Sequence, residues 1–313
     1  MTDEKLRNSW KTYIFIYLLK HSFIVLQISI LLSKYLHVRK QDIYIIVKRL
    51  KLNFEKQNSL VKIMEELTLL LVSIFSSCFV FYLVISKRIL NTSLKHFNQS
   101  TRALIVTAHP DDEVMFFGPT ILALVEAGCE VFLLVLSPGR EPGHGRKREL
   151  YASCKELGIK TSNIILVRHS KLRDDPNIRW REELVSSIIS RHVTSLCVDT
   201  VITYDRRGVS GHKNHIACYY GLACLALDKA AAPATVYSLT TVNMMRKYSS
   251  VLDVPMSFLL CPTVFTSSVS GWWRLQVAMS RHWSQYTWYR RLYMIFSRYT
   301  LINTLELSSK ARS

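Results

Sequence analysis

Ala103-Leu104-Ile105-Val106-Thr107-Ala108-His109-Pro110-Asp111-Asp112-Glu113 is the run on which the reading of this chain turns. Its first part is an unbroken apolar stretch of the kind that forms a buried β-strand. A histidine and adjacent carboxylates follow at once, so they fall where the strand ends and its loop begins. Imidazole and carboxylate packed at a strand end are the ingredients of a metal site with a base beside it. Further along, Gly208-Val209-Ser210-Gly211-His212-Lys213-Asn214-His215 places a second pair of histidines after a turn-forming stretch. Together the two runs point to a metal-dependent hydrolase.

Working outward, short apolar runs alternate with amphipathic stretches from about residue 100 onward. The pattern predicts strands at 103–107, 130–136, 163–167, 200–203 and 235–239. It predicts helices at 117–127, 146–157, 178–192 and 212–227, with Gly128 and Gly158 closing two of them. Such alternation means βαβ units, hence an α/β fold on a mostly parallel sheet. Ligands bind such sheets at the carboxyl ends of the strands. His109 and Tyr204-Asp205 fall at two of those ends, and His212 and His215 follow the second, so sequence order predicts that they converge.

A hydrolytic zinc takes three protein ligands and keeps one position open. His109, Asp112 and His215 can supply two imidazoles and a carboxylate, leaving Asp111 as the base that takes a proton from the attacking water. His212, three residues before His215, would share its helical face and serve the oxyanion or the leaving amine. The plainer alternative makes Asp111 and Asp112 caps of the following helix. The second histidine pair argues against it.

Composition narrows the partners. Lys and Arg number 41 against 23 Asp and Glu, a net charge of +18 in 313 residues, which favours a phosphorylated substrate, an anionic lipid surface or nucleic acid. The seven cysteines are scattered and form no C-x-x-C pair, as in a reducing compartment without a disulfide framework. Residues 67–86 run for 20 residues without a charge, the length of a transmembrane helix, and Lys87-Arg88 follow. That span argues against nucleic acid as the partner and for a membrane. Residues 1–66 read as a basic N-terminal segment, with a stretch at 13–32 that reads as interfacial or, alternatively, as a second span, and a connector (Arg39, Lys40, Lys48, Arg49, Lys51) suited to an anionic surface. Both flanks of the span are basic. Lys87, Arg88 and Lys95 argue for a cytosolic domain and the connector argues the reverse; the free cysteines tip the expectation to the cytosol, where the sequons at Asn91 and Asn98 stay unmodified. Arg140, Arg146, Lys147 and Arg148 cluster near the end of the second strand and suit a phosphodiester or a bilayer surface. Trp283, Trp288, Tyr289, Tyr293 and Phe296, interleaved with Arg281, Arg290, Arg291 and Arg298, read either as an interfacial amphipathic helix or as a C-terminal helix packed on the domain.

With these motifs in place, the chain resembles the zinc-dependent sugar de-N-acetylases of the LmbE/PIG-L family. Residues 108–113 match the family's first motif and 208–215 its second; the runs 246–253 and 289–299 are similar to its eukaryotic branch. The resemblance implies a Rossmann-like sheet with helices on both faces, in a deacetylase domain at 101–307 behind the transmembrane helix. It implies zinc, or another divalent metal, on His109, Asp112 and His215, with Asp111 as general base and His212 assisting the tetrahedral intermediate. Arg146 and Asp174 are the implied substrate contacts. The implied substrate is a glycolipid, N-acetylglucosaminyl-phosphatidylinositol, deacetylated in the second step of GPI-anchor biosynthesis at the cytosolic face of the endoplasmic reticulum. Two features depart from the family pattern. The loop 137–142 is short and carries Arg140, and Lys171 stands where relatives have an acidic residue, a loss for which Asp174 compensates. Another N-acetyl sugar conjugate as substrate, or an inactive membrane-bound scaffold, are the alternatives; retention of every metal-binding side chain argues against the scaffold.

Overall fold

The computed structural model describes residues 40–93, 97, 99–139, 145–175, 177–227 and 235–310, and the chain divides into two units, Met1–Ser73 and Ile74–Ser313. The interfacial stretch expected at 13–32, together with Arg39, Lys95, Asn98 and Arg140, lies outside the described residues.

From Lys40 the first unit is helical, as the start of α1 (Lys40–Ser93). Neither Pro nor Gly interrupts this run, so the basic connector and the apolar segment form one helix rather than two elements. Within α1, Lys51–Val84 is apolar enough to cross a membrane. At about 1.5 Å per residue it exceeds the roughly 30 Å of a bilayer core. Leu69, Leu70, Leu71 and Val72 are exposed on successive positions, so this stretch of the helix is apolar all round.

The second unit carries a seven-stranded sheet in the order β3-β2-β1-β4-β5-β7-β6. The strands are β1 (Arg102–Thr107), β2 (Glu130–Val135), β3 (Ile164–Leu166), β4 (Thr200–Tyr204), β5 (Thr235–Leu239), β6 (Thr263–Thr266) and β7 (Ile302–Lys310). The first five pair in parallel, and β7 runs antiparallel between β5 and β6. Every residue of β1 and β2 after the first is buried, as strands covered on both faces require.

Between β1 and β2 come α2 (Asp112–Met115) and α3 (Gly118–Glu126); α4 (Gly145–Leu157) leads to β3 and α5 (Glu182–Ser195) to β4. The short α6 (Gly208–Gly211) and α7 (Lys213–Leu227) lead to β5. The chain winds from β1 toward β3, then returns past β1 to β4 and β5. Right-handed crossovers in opposite directions put α3 and α4 on one face and α5 and α7 on the other. The winding reverses between β1 and β4, which is where an open α/β sheet leaves its crevice. The fold class thus agrees with the expectation.

The helix expected at 178–192 begins only at Glu182. Trp180 is buried and its Nε1 donates to Arg173 O at 2.9 Å, which keeps 178–181 out of the helix, and Glu182 and Glu183 occupy the first turn, where the helix dipole favours carboxylates. Past β5 the chain adds α8 (Met244–Lys247), α9 (Asp253–Leu260), α10 (Val269–Arg281) and α11 (Trp288–Phe296). This C-terminal part braces the residues after β1. Asn303 accepts from Thr120 N and Oγ1 and donates to Phe116 O and Tyr299 O, while Tyr293 Oη donates to Met115 O at 3.1 Å. Within the second unit, Phe81 and Tyr82 of α1 pack on α9 and β6, and Tyr82 Oη donates to Ser267 O at 2.6 Å.

Candidate active site

β1 ends by delivering His109, and the chain then turns back on itself. Asp111 takes φ 106°, in the left-handed region that few residues other than Gly, Asn and Asp tolerate. The turn is fixed by its own carboxylates. Asp112 Oδ2 accepts from Ala108 N (3.1 Å) and His109 N (2.8 Å), and Glu113 Oε2 accepts from Asp111 N (2.9 Å). Asp111 holds the N-cap position of α2 without a side-chain capping bond, so its carboxylate is not used as a cap.

From the neighbouring strand, Asp205 gathers the loop: it accepts from the backbone N–H groups of Arg207, Gly208 and Thr241. Gly208 has φ +61°, and a Cβ there would lie 2.9 Å from His215 Cβ, so only glycine fits. His215 is locked by three contacts. Its ring stacks on Tyr204 (4.3 Å, 3°), and Nδ1 lies 3.1 Å from Gly208 O and 3.4 Å from Ser210 Oγ. Donation from Nδ1–H to the Gly208 carbonyl leaves the Nε2 lone pair facing Asp112.

His212 is not on the helix expected to carry it. Gly211, at φ +73°, ends α6, and His212 is extended (φ −66°, ψ 128°) just before α7. Its Nδ1 accepts from Asn214 N at 3.2 Å, as a cap of α7, which puts the proton of the neutral ring on Nε2. Its ring still reaches the same place, with centroids 5.1 Å from His109 and 5.0 Å from His215.

His109, Asp112 and His215 are buried and close enough to hold one ion. Asp112 Oδ1 lies 3.4 Å from His215 Nε2, and Asp112 Oδ2 lies 3.6 Å from His109 Nδ1. These separations are long for hydrogen bonds. Each, one measured from either oxygen of Asp112, is close to the roughly 3.3 Å between ligand atoms around a tetrahedral zinc. The donor set therefore fits a divalent metal. His109 also faces Asp174 through Nε2 at 3.4 Å, and with His212 these form a second possible ligand group sharing His109.

The electrostatics sort the carboxylates. Burial pushes Asp111 up to about 6, although the Arg290 guanidinium, whose Nη1 lies 2.5 Å from Asp111 Oδ2, pulls the other way. Burial also raises Asp112, but His215 and His109 more than offset it and hold it below the usual carboxylate range. Burial lowers His109 to about 4, which keeps its lone pair available at neutral pH.

A pocket of about 420 Å³ is lined by all seven residues singled out in the sequence: His109, Asp111, Asp112, Arg146, Asp174, His212 and His215. Arg146 Nη2 donates to Pro110 O (3.1 Å) and Nη1 sits 3.6 Å from Asp174 Oδ2. Its guanidinium occupies the space a side chain at Gly139 would take, since a Cβ there would be 1.6 Å from Nη1. Lys171 is exposed and does not line the pocket, and Lys147 and Arg148 are exposed on α4.

Four participants were not assigned to the site from the sequence. Arg290 and Tyr289 enter the pocket from α11. Glu113, which holds the Asp111 backbone, is itself held by Ser153 Oγ (2.8 Å) and by the fully buried His282 (Nε2 to Oε1, 2.6 Å). Burial alone would lower His282; Glu113 reverses this and raises it above its ordinary value. Glu113 and Arg290 sit inside motif runs already noted, whereas nothing around His282 marks it.

Comparison with known proteins gives a consistent picture. The family described as PIG-L: GlcNAc-PI de-N-acetylase matches residues 104–225. N-acetylglucosaminyl-phosphatidylinositol de-N-acetylase of Bos taurus is 43% identical over 210 residues, covering 66% of this chain and 83% of that one. The probable enzyme of the same name from Dictyostelium discoideum is 34% identical over 239 residues, covering 65% and 92%. Among solved structures, N,N'-diacetylchitobiose deacetylase from Pyrococcus horikoshii overlays with a TM-score of 0.49 at 15% identity, covering 71% of this chain and 90% of that one.

Proposed function

The chain belongs to the PIG-L family of GlcNAc-PI de-N-acetylases, and from that premise we propose that it hydrolyses the acetamide of N-acetylglucosaminyl-phosphatidylinositol with the help of zinc. The observation that carries the metal reading is the spacing of His109, Asp112 and His215. A divalent ion held by these three side chains supplies Lewis-acid polarisation and makes a water easier to deprotonate. The rest is done by the chain. Asp111, raised by burial toward neutrality, takes the proton of the attacking water. As oxygen bonds to the acetyl carbon, the developing oxyanion is met by the Nε2–H of His212, whose tautomer Asn214 N sets. The C–N bond then breaks, the proton held by Asp111 passes to the amine, and acetate and the amino-sugar glycolipid leave. Asp174, close to Arg146 and His109, is assigned to the sugar hydroxyls, and Arg146 to holding Asp174 and the Pro110 turn in register.

The catalytic domain is assigned to 101–307 and the bilayer-crossing segment to the stretch that includes 67–86, with the chain in the endoplasmic reticulum membrane and the domain in the cytosol. The membrane-length helix and the Lys87-Arg88 pair behind the span support this arrangement. The test is turnover of the glycolipid by the full chain reconstituted in vesicles. Chelation is expected to abolish acetate release and zinc to restore it. Undiminished activity in a metal-free preparation would exclude the zinc reading, and turnover of a different N-acetyl sugar conjugate alone would move the substrate assignment.

A further inference from the structure

We propose that the catalytic domain seats on the lipid bilayer through an outward-facing apolar surface formed by α8, α9 and α11, so that the pocket opens at headgroup level. Why the domain should do this rests on the glycolipid reading above; the surface itself does not.

α11 carries apolar residues on its outer as well as its inner side. Tyr293 and Met294 face the core, yet Trp288, Leu292, Ile295 and Phe296 are 72%, 46%, 47% and 51% exposed. The spacing of those four puts them on one helical face. An amphipathic helix on a water-facing domain turns its polar side outward. Here the outer side is aromatic and aliphatic, with Arg291 beside it, the composition of a helix lying in a membrane interface. The surface continues onto its neighbours. Tyr248, at the end of α8, meets Tyr293 of α11 with centroids 6.3 Å apart, and Arg246 of α8 and Arg298, just after α11, both pair with Asp253 of α9. On these helices Met245 and Leu259 are each 83% exposed. Apolar exposure on this scale marks an interaction surface.

Two observations name the bilayer as the occupant. The membrane-length stretch Lys51–Val84 ends with Phe81 against Phe258 of α9 (centroids 6.2 Å apart) and Tyr82 bonded to Ser267 O. Within the second unit, the last turn of that stretch is therefore held against α9. At the other side of the patch, Tyr289 and Arg290 of α11 line the pocket, so the apolar face lies within a helical turn of the proposed catalytic groups. A lipid whose acyl chains stay in the leaflet could present its sugar there without leaving the membrane. The net charge of +18 suits a leaflet containing anionic phosphatidylinositol.

The experiment uses the full chain in vesicles of phosphatidylcholine and phosphatidylinositol. A photo-crosslinking benzoylphenylalanine replacing Leu292 or Phe296 should form lipid adducts roughly tenfold above the same probe at Arg191, an exposed position on α5. The triple variant Leu292→Ser/Ile295→Ser/Phe296→Ser should raise the KM for bilayer-embedded glycolipid on the order of tenfold. It should leave turnover of an acyl-free N-acetylglucosaminyl-inositol phosphate unchanged. Lipid adducts no higher than at Arg191, adducts to a protein instead, or an equal loss on both substrates would each overturn the proposal. If the wild type turned over neither substrate, the deacetylase reading would fall alone, and the adducts would still decide the surface.

Discussion

His282→Leu should destabilise the domain through a charge it leaves behind. Both side chains of the His282–Glu113 pair have 0% exposure, and their atoms lie 2.6 Å apart. Removing one partner of a buried ion pair costs about 3–5 kcal/mol, because the other stays buried and uncompensated. Glu113 keeps two donors, Ser153 Oγ and Asp111 N, so the loss falls at the lower end, about 3 kcal/mol. At roughly 2–4 °C per kcal/mol for a domain of this size, Tm drops by about 6–12 °C. The pH dependence has a definite sign. Burial opposes the proton on His282 but Glu113 wins, so the folded value lies above the unfolded one. The pair's contribution is complete below the ordinary histidine value and fades as pH rises through the raised one, so the gap between wild type and variant narrows toward alkaline pH. Glu113→Leu/His282→Leu should recover much of the stability, since an apolar pair has no charge to strand. It should not recover activity, because Asp111 N loses its acceptor. The assay is thermal unfolding of the full chain in detergent across pH 5.5–9, paired with acetate release; those limits bracket the histidine range approximately. A His282→Leu protein within about 1 kcal/mol of wild type, or strictly additive single changes, would refute this account.

Other expectations follow from the same geometry. Purified protein should hold about one divalent ion per chain, lost in His215→Ala and Asp112→Ala; metal analysis checks this. Asp111→Asn should keep the ion but lose at least ~10²-fold in turnover, the scale of a general base; an emptied site would reverse the roles of the two aspartates. With burial raising Asp111 to about 6, its basic form is lost as pH falls through that region, so kcat/KM has an acid limb there, or lower once a cation is bound nearby. Arg290→Gln removes the charge that opposes this rise and should move the limb upward; a downward move would contradict the ion pair's role. Asn91 and Asn98 should carry no glycan in the native cell, which mobility of the endoglycosidase-treated chain would show.

The parts that could be read from sequence share a physical cause. β1 and β2 are buried on both faces, so they read as nearly continuous apolar runs, and the reactive side chains follow the ends of β1 and β4. β7 escaped because two buried positions in its first half are polar: Asn303 and Thr304 look like loop residues until Asn303's bonds to Thr120 and Phe116 explain the burial of Asn303. Arg290 and His282 escaped because each acts across the fold on a residue far earlier in the chain, and no local periodicity encodes such a meeting. The backbone at His212 was misjudged because Gly211 and the capping bond to Asn214 N outweigh the helical spacing of the two histidines.

The left-handed backbone at Asp111 has an evolutionary consequence. Among side chains that accept such a conformation readily, only aspartate carries a carboxylate. Glutamate would keep the chemistry but fight the turn, while asparagine and glycine would keep the turn and abolish the chemistry. The position thus has no functional synonym. A lineage that abandoned catalysis while retaining the turn could do so in one step, through Asp111→Asn. A silent copy of this architecture would be nearly indistinguishable in structure from a working one, and this single position is where to look for the difference.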